Sequence, residues 1–346
     1  MSERVRLDPE RLAREVGELA ERTDFSGVVR VDGVDGLLFE VACGLAHRGH
    51  GIPNETGTRF AIASGTKTLT ALAVMSLVED GTLSLSTTAR TLLGPDLPLI
   101  ADDVTVEHLL AHRSGIGDYL DEEVHPDVDE YVMPVPVHQL DTAEAYLAVL
   151  DGFPTRFPAG ERFVYNNGGY VVLAILAERA SGTPYHDLVM DRVCRRAGMD
   201  DTDFPRSDEP IGPIARGYLE IPGRENVLHL PVRGVGDGGI TSTAADIRRL
   251  WTALFDARIV SEDRVREMLR PRSDAPEERM RCGLGFWLDA SIDTVILEGM
   301  DAGISFRSMH DPASGLTRTV MSNTSGGAWP ITELLGRIVD EASASA

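Results

Sequence analysis

Strand-like runs lie toward the two ends of this 346-residue chain and helical patterns fill the stretch between them, a distribution that restricts the fold more than any other feature. Residues 26–31 and 37–45 are rich in valine, leucine and other strand-compatible residues, and Asp32-Gly33-Val34-Asp35-Gly36 between them has turn chemistry, so this segment predicts a β-hairpin. The strand period returns in 284–288, 294–298, 305–310 and 316–322. Between these blocks an apolar helix is predicted over 64–80, stopped by Gly81, with further helices over 104–112 and 169–180. Leu12, Val16 and Leu19 after Asp8-Pro9, and a periodic segment over 329–342, predict amphipathic helices outside the sheet. Strands at both ends imply one sheet completed by both termini. The expectation is an α+β fold (an α/β sandwich) in which an antiparallel sheet is flanked by helices. Residues 1–80 and 230–346 would form the α/β domain and 81–229 a mainly helical subdomain. The acidic segment 121–136, interrupted by Pro126 and Pro134, reads as an exposed excursion able to border a site.

Composition excludes several classes of function. With 33 basic against 55 acidic residues the formal charge is −22, which repels phosphate backbones and anionic lipid, so neither nucleic acid nor a membrane surface is an expected partner. Cys43, Cys194 and Cys282 are far apart without CxxC spacing, so no disulfide framework and no thiolate metal site is expected. The charged opening MSERVRLDPERLAREV lacks a signal-like apolar segment, and the expected location is the cytoplasm.

Lys67 is the one lysine, so 32 of the 33 basic residues are arginine. A lysine retained where arginine serves everywhere else suggests a task arginine cannot perform, namely losing a proton. It lies in Ser64-Gly65-Thr66-Lys67, and residues three apart at a helix start share a face, which brings the Ser64 hydroxyl within reach of the amine. Burial beside the apolar run 69–75 would lower the amine's pKa, and the helix N-terminus would favour an oxyanion near Ser64. The plain alternative is a serine cap beside a surface lysine.

A second element, Tyr165-Asn166-Asn167, lies about 100 residues downstream and opens an apolar helix. The order SxxK then YxN resembles the serine β-lactamase and DD-peptidase superfamily, in its class C β-lactamase-like branch with the family VIII esterases. Supporting strings fall in family order: Thr58-Arg59-Phe60, residues 105–115 from Thr105-Val106-Glu107-His108 onward, and Gly238-Gly239-Ile240-Thr241-Ser242. The resemblance implies a β-lactamase/transpeptidase-like fold, Ser64 as an acylated nucleophile, Lys67 as the buried amine beside it and Tyr165 as a proton-carrying phenol. It implies Asn167 as an amide that bonds the lysine side or the substrate. A tyrosine beside a cationic amine would have its phenolate favoured.

The superfamily's third element, Lys-Thr/Ser-Gly or His-x-Gly on the strand edging the site, is altered here. Counted forward from Gly299, Met300 takes the basic position, Asp301 follows, Ala302 takes the place of the glycine, and Gly303 or Ile304 supplies the second oxyanion N–H; no cation is present. Gly234-Val235-Gly236-Asp237-Gly238-Gly239 satisfies GxGxxG but reads as a turn feeding a helix capped by Thr243, and His108 and His112 read as helix packing. The expected activity is a serine hydrolase acting through a Ser64 acyl-enzyme on a small, non-anionic ester or amide, without metal or organic cofactor. An acyltransferase using the same intermediate, and an inactive binding protein of the same fold, are the alternatives. The oligomeric state is open.

Overall fold

The computed structural model describes residues 7–209, 212–220, 223–276 and 278–344. Helix α1 (Pro9–Arg22) begins where Asp8 accepts the Glu10 N–H and Pro9 supplies a preset φ at the first turn, and it buries Leu12, Val16 and Ala20. The chain then enters β1 (Gly27–Gly33) and β2 (Gly36–Cys43). Gly33 pairs with Gly36, so the hairpin turn is shorter than the five residues expected; Gly36 at φ 122° accommodates the reversal.

Apart from two small two-stranded sheets (Leu45–His47 with Ile52–Pro53, and Phe60–Ala61 with Thr241–Ser242), the remaining strands come late: β3 (Ser273–Ala275), β4 (Met280–Cys282), β5 (Trp287–Asp289), β6 (Val295–Asp301), β7 (Ile304–His310) and β8 (Thr317–Ser322). They complete one eight-stranded antiparallel sheet of order β2-β1-β8-β7-β6-β5-β4-β3, in which the first and last strands of the chain, β1 and β8, pair at its interior. The edge strand β3 and its neighbour β4 were not expected, because three residues are too few to show a period. The run 284–288 becomes strand only from Trp287, since Gly285 at φ 81° breaks the extended backbone.

Alternation in the strands separates two apolar layers. Val29, Val31 and Val320 face α1 and the final helix (Ala328–Ala344), together with Ile331, Leu335 and Ile338. Val28, Met321, Leu297 and Phe306 face the larger core. There α2 (Thr66–Glu79) is buried at every residue from Thr66 to Val78, and α3 (Asn167–Ser181) from Asn167 to Ala177; such uniformly apolar helices belong in an interior. That core runs without a break from the sheet into the helical middle of the chain. Helix α4 (Ala244–Phe255) is capped by Thr243, which accepts the Asp246 N–H, and is tied to the sheet where Trp251 Nε1 donates to Ser308 Oγ (2.9 Å).

Two local readings change. The helix expected over 104–112 is only Val106–Leu110; Thr105 and His108 close a capping box, and His112 turns off at φ 53°. The glycines of 234–239 serve packing: a Cβ on Gly236 would lie 1.9 Å from the Tyr170 carbonyl, and one on Gly234 2.4 Å from the Gly238 carbonyl. Among the described residues no helix is long and apolar enough to cross a membrane.

Candidate active site

Ser64 stands in a single 3-10 turn, Ala63–Gly65, that feeds α2. The residue before it, Ala63, is buried with φ 44°, a left-handed conformation that costs a non-glycine residue about 1–2 kcal/mol. One helical turn on, Lys67 is buried, 4% exposed, and its Nζ reaches Ser64 Oγ (2.8 Å), Asn167 Oδ1 (2.7 Å) and the Asp237 carbonyl (3.0 Å). The first contact follows from the spacing of Ser64 and Lys67; the other two come from distant parts of the chain. The Asp237 carbonyl is in place because Thr70 Oγ1 donates to the Gly236 carbonyl (2.6 Å) and Thr66 Oγ1 accepts the Ile240 N–H (3.2 Å), pinning that loop along α2.

Asn167 opens α3. Asn166 caps this helix, and the Asp118 carboxylate accepts the Asn167 and Gly168 N–H groups (2.6 and 2.8 Å), a negative group at a helix N-terminus. The Asn167 amide gives its protons to the Leu120 carbonyl and Glu122 Oε1, leaving its oxygen for Lys67. Tyr165 lies half-buried on the approach to α3, with Lys67 Nζ 5.0 Å from its ring centre.

Burial pushes the Lys67 amine below its ordinary pKa, against the pull of Asp237, Glu122, Asp118 and Asp301. The Tyr165 phenol moves the other way: burial and the Glu122 charge push it well up, while its hydrogen bond with Ser64 draws it down. The phenolate expected beside a cationic amine is therefore disfavoured. Lys67 is the group biased toward losing a proton and Tyr165 the group biased toward keeping one.

His112 is a site residue that sequence reasoning assigned to packing. It stacks on Tyr165 at 4.5 Å, its Nδ1 accepts the Asn166 N–H (3.0 Å), and burial with the nearby Lys67 lowers its pKa to about 3. The ring is thus neutral and orients the Tyr165–Asn166 backbone rather than titrating. No spacing in the sequence could have shown this, because the contact spans more than fifty residues.

The strand register also requires a correction. A Cβ on Gly299 would lie 2.6 Å from the Ser64 N and 2.3 Å from the Ile62 carbonyl, so Gly299 is the glycine on which the strand packs against the serine turn. The reading that put this glycine at Ala302 is off by three. Gly303 is the turn residue between β6 and β7, at φ 69°, and its N–H is given to Ser325 Oγ (2.8 Å). Ile304 pairs with Asp301 to close that two-residue hairpin, so neither Gly303 nor Ile304 presents an N–H to Ser64. Met300, one position back, pairs with Ser305; alternation in an antiparallel ladder turns its N–H away from β7, and β5 pairs only as far as Ile296.

Two cavities meet at Ser64 and share Glu122, Val128 and Met300. One, of about 190 Å³, is walled by Tyr119, Tyr131 and Tyr146 and reaches Asp301 and Asn323; the other, of about 750 Å³, holds Tyr165, Trp287, Glu298 and Arg307. The excursion 121–136 supplies wall to both. Burial and neighbouring carboxylates raise Asp301 to about 7 from its ordinary 3.8. A carboxyl raised on folding contributes stability that is present below its unfolded pKa and lost as pH rises toward 7. Asp301→Asn should therefore raise the melting temperature more at pH 8 than at pH 5, by roughly 2–4 °C, the response to about 1 kcal/mol. Thermal unfolding at the two pH values checks this, and equal shifts would refute it.

The Beta-lactamase family model matches residues 12–342. Esterase EstB of Burkholderia gladioli is 32% identical over 94% of this chain and 96% of its own length. Penicillin-binding protein 4* of Bacillus subtilis (strain 168) is 28% identical over 79% of this chain, and the match spans 62% of that protein. The crystal structure of a penicillin-binding protein from Bacillus halodurans superposes with a TM-score of 0.87 at 33% identity, covering 93% of this chain and 99% of that one. With Lys67 and Asn167 buried behind a half-buried Ser64 where two cavities meet, and a family match over almost its whole length, the chain belongs to the β-lactamase family and is a serine hydrolase.

Proposed function

We propose that the protein hydrolyses small neutral or cationic esters and amides through a Ser64 acyl-enzyme. The observation that carries this is the buried Lys67 amine, held 2.8 Å from Ser64 Oγ and pushed toward its neutral form. In the first step Lys67 takes the Ser64 proton as Oγ bonds to the substrate carbonyl carbon. The resulting oxyanion sits between the N–H groups of Ser64 and Met300. Collapse breaks the bond to the leaving alcohol or amine, which receives a proton through the Tyr165 phenol. Water then attacks the acyl-enzyme by the reverse proton path and frees the acid. Asn167 holds Lys67 in place and His112 holds Tyr165 by stacking.

The corrected register supports a limit on substrates. The family's basic or His-x-Gly slot falls on Leu297-Glu298-Gly299, where Leu297 is buried and apolar and Glu298 is paired with Arg307. Arg307, the one nearby cation that could replace the missing one, is thus already neutralised. A substrate carboxylate would meet Glu298 and Asp301. Intact mass after incubation with p-nitrophenyl butyrate and with a penicillin tests both parts. The expected result is a butyryl adduct on Ser64, lost in Ser64→Ala, and β-lactam turnover lower by about 10²-fold or more, as an uncompensated charge implies. No adduct with any activated ester would overturn the acyl-enzyme, and efficient penicillin turnover would overturn the charge argument. Formation of a butyrate ester with added alcohol would make the natural reaction acyl transfer.

A cytoplasmic setting is part of the same proposal, supported by three unpaired cysteines.

A further inference from the structure

Two of the three acceptors around Lys67 are governed by one dipeptide, Asp118-Tyr119. The buried Asp118 carboxylate accepts the Asn167 and Gly168 N–H groups, and so fixes the residue whose Oδ1 takes one Lys67 proton. The Tyr119 hydroxyl donates to Asp237 Oδ2, on the residue whose carbonyl takes another. Burial pushes the Tyr119 phenol well above its ordinary pKa, so it keeps its proton and goes on donating. The Asp237 carboxyl, 9% exposed, therefore belongs to the residue whose backbone touches the amine, yet it is turned to Tyr119.

Charge around the amine is one-sided. Asp118 and Glu122 face it from the segment leading into and along the excursion, Asp301 from β6 and Asp237 from the loop along α2, and of these Asp237 pulls hardest on the Lys67 proton. Among the described residues none of the four is hydrogen-bonded to an arginine: Asp118 and Asp301 take backbone N–H groups, Glu122 the Asn167 amide and Asp237 the Tyr119 hydroxyl. His112 is neutral, and Tyr165 and Tyr170, with ring centres 5.0 and 5.9 Å from Nζ, hold their protons. Glu298 and Cys282 share a small cavity with Lys67, but the first is paired with Arg307 and burial keeps the second protonated. Asp237 itself is faced by Tyr119, Tyr131, Tyr146 and Tyr185, all held protonated by burial, and by Asp118 and Asp301; Arg216 stands on the same cavity lining. The cation that draws the Asp237 proton off is Lys67.

We infer that Asp237 is a positioning residue whose carboxylate, held by Tyr119, sets the pH at which Lys67 becomes a base and stabilises the ammonium formed as Ser64 is acylated. The second half rests on the reading of Lys67 as the base for Ser64. The proton released by Ser64 stays on Lys67, and Asp237 acts on it through space without receiving it.

Because Lys67 is the one lysine, labelling with isotope-enriched lysine gives a single side-chain signal, and its titration by NMR reads the amine of the full chain without substrate. Asp237→Asn, an isostere able to accept from Tyr119, should lower the Lys67 midpoint by about 1 pH unit, as expected when a unit charge near a buried amine is removed. Asp237→Ala should move it equally, which separates loss of charge from any bond the new amide makes. Asp301→Asn should move it less. Acylation by p-nitrophenyl butyrate should change in opposite senses in Asp237→Asn: about 3-fold faster on the acid side, where more amine is neutral, and about 3-fold slower on the alkaline plateau, where a weaker base acts. Loss of packing alone would slow both limbs. A midpoint unmoved in both folded Asp237 variants, or moved further by Asp301→Asn, would overturn the inference, and so would a rate lowered equally across the profile. Absence of a Ser64 acyl adduct would instead refute the proposed reaction, while the lysine titration would still decide whether Asp237 governs the amine.

Discussion

Replacing Lys67 with arginine should lower the rate of Ser64 acylation by about 10³-fold or more, the loss expected when a positioned base is removed. The effect is large because Lys67 combines three properties arginine cannot share. Its amine is compact enough to meet Ser64, Asn167 and the Asp237 carbonyl together, it is 4% exposed, and burial biases it toward the neutral form. A guanidinium keeps its proton throughout the accessible pH range and spreads five donors over a larger plane. Stopped-flow acylation by p-nitrophenyl butyrate, with circular dichroism to establish that the variant is folded, gives the answer. A rate within a few-fold of the parent would eliminate Lys67 as the base. In the parent, acylation should rise with pH as Lys67 loses its proton, since the neutral amine is the reactive form.

Gly299→Ala should be nearly as damaging although the residue has no side chain to lose. A methyl group there would sit 2.3 Å from the Ile62 carbonyl and 2.6 Å from the Ser64 N, both backbone atoms of the serine turn that cannot yield as a flexible side chain could. Either β6 or the turn must retreat, which would separate the two N–H groups proposed to hold the oxyanion. We expect a loss of kcat of about 10²-fold or more together with a destabilisation on the order of 1–3 kcal/mol. An equivalent change at Gly336, where a Cβ meets nothing within 4 Å, should leave kcat within a few-fold. If Gly299→Ala retained full kcat, the packing of β6 against Ser64 would not be what aligns the site.

Sequence periodicity sufficed for the elements that bury a long apolar face, because a helix or strand of several turns leaves its period in the residues. Helices α1, α2 and α3, the N-terminal hairpin and the strands around 294–322 were legible in this way, and the two-ended distribution of strands implied the single antiparallel sheet. The contact of Ser64 with Lys67 was legible too, since it lies within one helical turn. Short-range chemistry ended there. Asn167, 100 residues from Lys67, was named only through the family resemblance, while the Asp237 carbonyl 170 residues away and the stacking of His112 on Tyr165 share no pattern that a sequence shows. The third element was misplaced by three residues because Gly299 and Gly303 look alike in a sequence. Gly299 is glycine because a backbone approaches it, Gly303 because its φ is left-handed, and only the packing of β6 against the serine turn separates the two causes. Protonation states were likewise beyond the sequence: the residue types named the titrating groups, but burial decided their directions, against the pull of Asp237, Glu122, Asp118 and Asp301 at Lys67 and reinforced by Glu122 at Tyr165, because desolvation and charge proximity are properties of tertiary structure.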